Sequence, residues 1–241
     1  MSNHHPQGRS PTLNATHLVS RRQVLSALIG AAGALAYSAA LGGTNRDLCL
    51  LTPPQTEGPY YPVQDQPEKD HDLTRVKGRP DRATGQILYI LGQVLDEHCR
   101  PVEGALVEIW QAAASGRYNH PDDRDSRAPL DPNFQYWGFD TTDKEGRYSF
   151  KTVLPGPYQA GLFWTRPSHI HFKVHRRGYH ELTTQMYFAG DPYLEKDRIF
   201  RAIPTAERQR VIVQPEPPGR EVEPGSRVCR FDLILPPSLH P

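Results

Sequence analysis

The sequence predicts an antiparallel β-sandwich with long irregular loops and an extended, proline-rich N-terminal arm. Three observations carry this. Short runs rich in Val, Ile, Thr and aromatic residues recur with turn residues between them. No window of helical period is long enough for a core helix. The 24 Pro and 19 Gly are spread along 241 residues rather than gathered in a repeat. The length suits one domain of moderate size with extensions. Lys+Arg 28 against Asp+Glu 27 leaves a charge of +1, which gives no basis for a nucleic-acid partner.

The chain divides into three stretches. Residues 1–45 begin polar and then read Ser20-Arg21-Arg22-Gln23-Val24-Leu25, followed by an uncharged, Ala/Gly/Leu-rich run from Ser26 to Gly43. Paired arginines before a modest apolar run resemble a twin-arginine export signal, with small residues at Ser38 and Ala40 for cleavage. The reading is an exported protein, periplasmic or extracellular, that meets the membrane only in transit. The alternative is a retained membrane anchor, for which so short and Ala/Gly-rich a run is marginal. Residues 46–85 carry too many prolines for helical periodicity and read as an arm wrapping the domain. The β domain proper is 86–241.

Within it, Gln86–Leu95 reads as a strand, Asp96–Pro101 as a turn and Ala105–Gln111 as the next strand, by near period-two alternation. Tyr148–Val153 follows the turn Thr142–Gly146. His169–His175, Leu182–Phe188, Arg210–Val213 and Val228–Leu235 complete the strands, and a short helix is expected near Thr205–Arg208. Ala112–Asp140 has no regular pattern; an irregular segment that long inside a compact domain is usually functional. Cys49, Cys99 and Cys229 are too few for a disulfide framework and lack metal-site spacing. One bridge could form after export, but small buried or idle thiols are the expected state.

The chemistry concentrates in Tyr158–His171, which holds a phenol at Tyr158, a guanidinium at Arg166 and imidazoles at His169 and His171. Side chains two apart on a strand share a face, with Cα atoms roughly 6–7 Å apart, so one metal ion could bridge the two histidines. Taken alone, a His-x-His pair is more often two ordinary hydrogen-bonded histidines. Arg166 as a surface ion pair, Gln185 as a plain ladder residue, and Tyr118 and Tyr158 as packing residues are the corresponding bland readings. His71, His98, His120, His175 and His180 read as surface or structural, with His120 the exception to watch, two residues beyond Tyr118.

Several motifs stand together: Thr56-Glu-Gly-Pro-Tyr60, Val107-Glu-Ile-Trp110-Gln111, Gly116-Arg-Tyr118-Asn-His120, Ala128-Pro-Leu-Asp-Pro-Asn-Phe134, Pro155-Gly-Pro-Tyr158, Arg166-Pro-Ser-His169-Ile-His171-Phe172, Thr184-Gln185-Met-Tyr-Phe188 and Arg230–Leu235. In that order they resemble the intradiol ring-cleavage dioxygenases, and more narrowly the iron-binding β subunit of protocatechuate 3,4-dioxygenase, over nearly the whole chain after the signal. The resemblance implies a ferric ion, Fe(3+), held by Tyr118, Tyr158, His169 and His171. It implies a small aromatic diol and O2 as substrates, cleavage between the hydroxylated carbons to a cis,cis-muconate, and a Tyr158 that moves aside when the diol binds. It also implies assembly with copies of itself or with a second subunit. Phenolate and imidazole are donors suited to a ferric ion. Arg166 would stabilise negative charge on the reacting ring, and Gln185 would line the same pocket.

Three features depart from the protocatechuate enzymes. The segment between Tyr158 and His169 is shorter, and Gln159-Ala160 stands where Pro-Trp is typical, so the ring substituents accepted stay open. Trp164 lies two residues before Arg166 rather than directly before it. The rival readings are a non-catalytic, prealbumin-like binding module, because the strand-turn-strand from Gly92 to Val107 fixes a sandwich but no activity, and a zinc hydrolase on His169 and His171.

Overall fold

The computed structural model describes residues 49–124, 126–220 and 222–237. The stretch expected to be an export signal, with its expected cleavage site, lies outside them. Among the described residues no helix is long and apolar enough to cross a membrane.

Two sheets stack face to face. In the first, β1 (Ile87–Asp96) pairs antiparallel with β4 (Arg147–Val153) and parallel, on its other edge, with β10 (Arg227–Arg230) and then β11 (Leu233–Leu235). The second has the order β3-β2-β7-β8-β9, from β2 (Leu106–Trp110), β3 (Trp137–Thr141), β7 (His169–His175), β8 (Leu182–Phe188) and β9 (Ile212–Val213). A separate hairpin joins β5 (Tyr158–Gly161) to β6 (Trp164–Arg166). The sandwich is therefore antiparallel in its main ladders, with parallel pairings at the C-terminal strands and at β8–β9.

The core lies between the sheets. Ile170, Phe172 and Val174 alternate inward along β7, and Phe172 meets Tyr148 and Phe231 of the opposite layer at ring distances of 6.1 and 5.0 Å. Burying each such side chain contributes about 1.5–3 kcal/mol. Inward alternation of the apolar residues turns His169 and His171 to the outer face of the five-stranded sheet.

The expected C-terminal strand is interrupted, and Gly92 explains why. An added Cβ there would lie 2.0 Å from the Phe231 carbonyl oxygen, so the chain crosses β1 closely at that point. The Gln93 N–H turns to the Asp232 carboxylate at 2.9 Å, and β10 hands over to β11. Trp137–Thr141, expected to be mostly irregular, is an edge strand on β2. The helical segments are a 3-10 turn at Leu194–Lys196, α1 at Arg198–Ala202 and a second 3-10 turn at Arg208–Val211, which overlaps the helix expected near Thr205–Arg208 at its last residue only. That last turn takes the start of the run expected to be strand from Arg210.

The stretch from Leu50 to Gly85 forms no strand or helix, and backbone hydrogen bonds tie it to both sheets. Thr52 donates to the Ile234 carbonyl and Gln55 to that of Thr183. Its start is also fixed covalently, because Cys49 and Cys99 form a disulfide. This corrects the expectation of idle thiols for two of the three cysteines. Only Cys229 is free, and it is buried.

Candidate active site

The site is built on the outer face of β7 by the register of its neighbours. His171 stands opposite Trp110 of β2 on one side and Gln185 of β8 on the other, and His169 stands opposite Tyr187. Trp110 stacks on His171 at 4.6 Å and 12°. The two histidine rings are 4.9 Å apart.

Two other segments bring the phenols. Tyr118 comes from the irregular segment after β2, folded back on itself by Arg117, whose Nη1 donates to the carbonyls of Ser126 and Ala128, and by Asp123, which accepts from the Tyr118 N–H at 2.7 Å. Gly116 (φ +81°) lets this loop pass so close to Pro157 that an added Cβ would lie 2.3 Å from its carbonyl oxygen. Tyr158 directly follows, and its ring meets that of Tyr118 edge-on at 5.4 Å. The Tyr118 hydroxyl lies 3.3 Å from His169 Nε2, and Tyr158 lies 5.8 Å from His169 between ring centres. All four proposed ligands thus converge on one buried spot.

The donor set fits a metal ion. His169 Nδ1 donates to the Pro167 carbonyl at 2.7 Å, which leaves Nε2 with its lone pair toward Tyr118. His171 Nδ1 is buried with no hydrogen-bond partner, an orphaned nitrogen in a polar cluster. Burial, aided by the positive charge of Arg166, holds both imidazoles well below the usual histidine range and so neutral, the form that binds metals. Burial pushes Tyr118 well above the ordinary phenol value, and pushes Tyr158 up to about 12 against the pull of Arg166. Without a cation both phenols keep their protons. Among the described residues no cluster of three His, Cys, Asp or Glu could hold a metal, so a zinc site of the usual donors has no third ligand on this histidine pair.

Arg166 is fully buried beside these groups. Its Nη2 donates to Gln185 Oε1 at 2.6 Å, and Tyr158 is its register partner in the hairpin, near enough to feel its positive charge. Gln185 is held in turn by the arm: its Nε2 donates to the Thr56 carbonyl at 2.8 Å, while Gln55 Nε2 donates to the Gln185 carbonyl at 2.9 Å. The Tyr187 hydroxyl donates to Gln55 Oε1 at 2.8 Å. Arg166 Nε lies 3.1 Å from Asp197 Oδ1, close enough for an ion pair but out of line for a hydrogen bond. Trp164 Nε1 donates to the same oxygen at 3.0 Å.

Sequence reading missed Asp197, Tyr187, Gln55 and Tyr60, whose ring packs 4.7 Å from that of Tyr118. For Asp197 a signal existed, since an Asp directly before Arg-Ile-Phe has the form of a helix N-cap. A cavity of about 780 Å³ opens between the arm and the Tyr118 loop, with Tyr60, Trp110 and Tyr118 in its lining.

A family model described as dioxygenase matches residues 56–237, most of the chain and every site residue named above except Gln55. The chain belongs to the intradiol ring-cleavage dioxygenases. The protocatechuate 3,4-dioxygenase β chain of Burkholderia cepacia is 46% identical over 158 residues, 64% of this chain and 66% of that protein. Catechol 1,2-dioxygenase 2 of Acinetobacter lwoffii is 37% identical over 162 residues, 62% of this chain and 55% of that one. The chain therefore spans between about half and two thirds of these relatives. Among solved structures, the dioxygenase domain of a dioxygenase carbohydrate-binding fusion from Streptomyces sp. SirexAA-E has a TM-score of 0.58 at 26% identity, covering 78% of this chain and 99% of that domain. Catechol 1,2-dioxygenase from Pseudomonas arvilla C-1 has a TM-score of 0.61 at 28% identity, covering 79% and 63%. In this intradiol dioxygenase the motif residues scattered over 68 positions, from Tyr118 to Gln185, are one cluster in space.

Proposed function

We propose that the protein is a non-haem Fe(III) dioxygenase that cleaves a catechol-type ring between its two hydroxylated carbons with O2, giving a cis,cis-muconate. Protocatechuate or a related diol is the proposed substrate. The observation that carries this reading is the convergence of Tyr118, Tyr158, His169 and His171 on one buried spot, with Arg166 against it.

Iron(III), when bound, would be held by those four side chains and would act as a Lewis acid on the diol oxygens. The protein's own groups divide the remaining work. Tyr118 is buried and wedged against Tyr60 and His169, whereas Tyr158 belongs to a hairpin whose other β5 residues are exposed. Of the two phenols, Tyr158 has the freedom to move aside for a diol, and the positive charge of Arg166 beside it would favour its displaced oxygen. Arg166, held by Gln185, presents a fixed positive charge where negative charge develops on the ring. Burial of the cluster keeps bulk water from that charge.

The test is spectroscopic and catalytic. Purified, iron-loaded protein is expected to be burgundy from tyrosinate-to-ferric charge transfer, to shift its band when a diol is added without oxygen, and to take up O2 with at least one of a panel of diols. A colourless protein that retains zinc instead would sink the proposal.

We also propose export by the twin-arginine route and assembly with copies of itself or with a second subunit. The Cys49–Cys99 disulfide supports an oxidising destination. Replacing Arg21-Arg22 by Lys-Lys in a reporter fusion of the first 45 residues should block translocation; unchanged export would refute it.

A further inference from the structure

Asp197 is a carboxylate with no solvent exposure, outside every motif noted above, and both its oxygens are engaged on groups of the site or its support. Oδ2 accepts from the Phe200 N–H at 3.1 Å, capping α1. Oδ1 accepts from Trp164 Nε1 at 3.0 Å and lies 3.1 Å from Arg166 Nε. Trp164 and Arg166 are two apart on β6, so one carboxylate oxygen grips the same face of that strand twice. The guanidinium of Arg198, next to Asp197 in sequence, lies over the Trp164 ring at 5.2 Å.

A buried guanidinium requires a counter-charge, because an unpaired one in a low-dielectric site is strongly destabilising. Among the described residues the ion pair found for Arg166 is Asp197. Gln185 fixes a second nitrogen, Nη2, but is neutral. With Nη2 hydrogen-bonded to Gln185 and Nε against the Asp197 carboxylate, the guanidinium is restrained at two points beside Tyr158, its register partner.

We propose that Asp197 is the positioning residue for Arg166. It supplies the counter-charge that allows a cation to be buried there, sets the guanidinium's orientation toward the reacting ring, and through Trp164 locks the hairpin that carries Tyr158. This rests on the proposed dioxygenase reading for the role of Arg166, but the contact itself does not.

The test is a double-mutant cycle of Asp197→Asn and Arg166→Gln, read in two ways. In the iron-loaded enzyme, Asp197→Asn is expected to keep its iron and its charge-transfer colour while kcat falls roughly ten- to a hundredfold, from misplacement of one charged group, with KM changed far less. In the Arg166→Gln background the same substitution should cost almost nothing further, since both changes remove one interaction. In the metal-free protein, urea unfolding should give the same non-additivity, with the double variant more stable than Asp197→Asn alone because no buried charge is left unpaired. Should Asp197→Asn fail to fold while the double variant folds, the counter-charge role is supported. Equal losses in both backgrounds, in kcat and in stability, would overturn the proposal and leave Asp197 as a helix cap. If the wild type turns over no diol, the dioxygenase reading falls while the metal-free cycle still decides the Asp197–Arg166 coupling.

Discussion

At Gly116 the backbone sits in the left-handed region, and the Pro157 carbonyl occupies the space a side chain would take. Gly116→Ala therefore combines conformational strain of about 1 kcal/mol with a clash against rigid backbone. The loop must move, and Tyr118, two residues on, moves with it. The expected outcome is loss of most bound iron and of the tyrosinate band, measured by metal analysis and visible absorption. Gly161→Ala is the matched control: its added methyl meets nothing within 4 Å, so iron content should not change. A second pair of variants separates ligand from electrostatic roles. His169→Ala should lose iron, because its Nε2 is one of the four converging donors. Arg166→Ala should keep iron and colour but lose turnover, and equal metal loss in both would contradict the assigned roles.

At the level of elements, the turn after β1 shows how a short loop is fixed by one carboxylate. Asp96 accepts at 2.9 Å from the N–H groups of both His98 and Arg100, and at 2.6 Å from Arg100 Nε, while Cys99 takes φ +60°. Burial would raise the Asp96 carboxyl, but the Arg100 N–H and guanidinium and the His98 N–H outweigh it and hold it below the usual carboxylate range. A depressed folded value means that this stabilisation is complete above the unfolded value near 3.9 and disappears as the pH falls through the folded one. Asp96→Asn should thus lower Tm at neutral pH, and the gap to wild type should close in acid; a constant gap would show that the charge contributes nothing. The turn itself was legible, as were β7 and β8, whose alternation of apolar residues marks both ends. Trp137–Thr141 was not, because Gly138 and Asp140 break the pattern and its strand character comes from pairing with β2. The same limit hid Asp197. Motifs pointed to the proposed ligands and the arginine, but which carboxylate is buried against that arginine depends on how the segment after β8 folds back over the hairpin.

Across the whole molecule, the N-terminal stretch and the C-terminal strands close the structure together. Thr52 exchanges hydrogen bonds with Ile234 of β11, its N–H to the carbonyl at 3.2 Å and its Oγ1 from the N–H at 2.9 Å. Gln55 then reaches β8 and supports Gln185, so the order of the arm bears on the order of the site. The disulfide fixes the start of this path by joining Cys49 to Cys99 across 50 residues. Closing a loop of that length removes unfolded-state entropy worth on the order of 4 kcal/mol, with measured bridges in the range of about 2–4. For a chain of this size the corresponding fall in Tm on reduction is roughly 5–15 °C. The bridge lies before the arm's hydrogen bonds to β8 and β11, which do not depend on it. Reduction, or a Cys49→Ser and Cys99→Ser pair, should therefore lower Tm by that amount while leaving the charge-transfer band at room temperature intact. If the band were lost on reduction below the unfolding temperature, the arm would be held to the site by the disulfide rather than by Thr52 and Gln55.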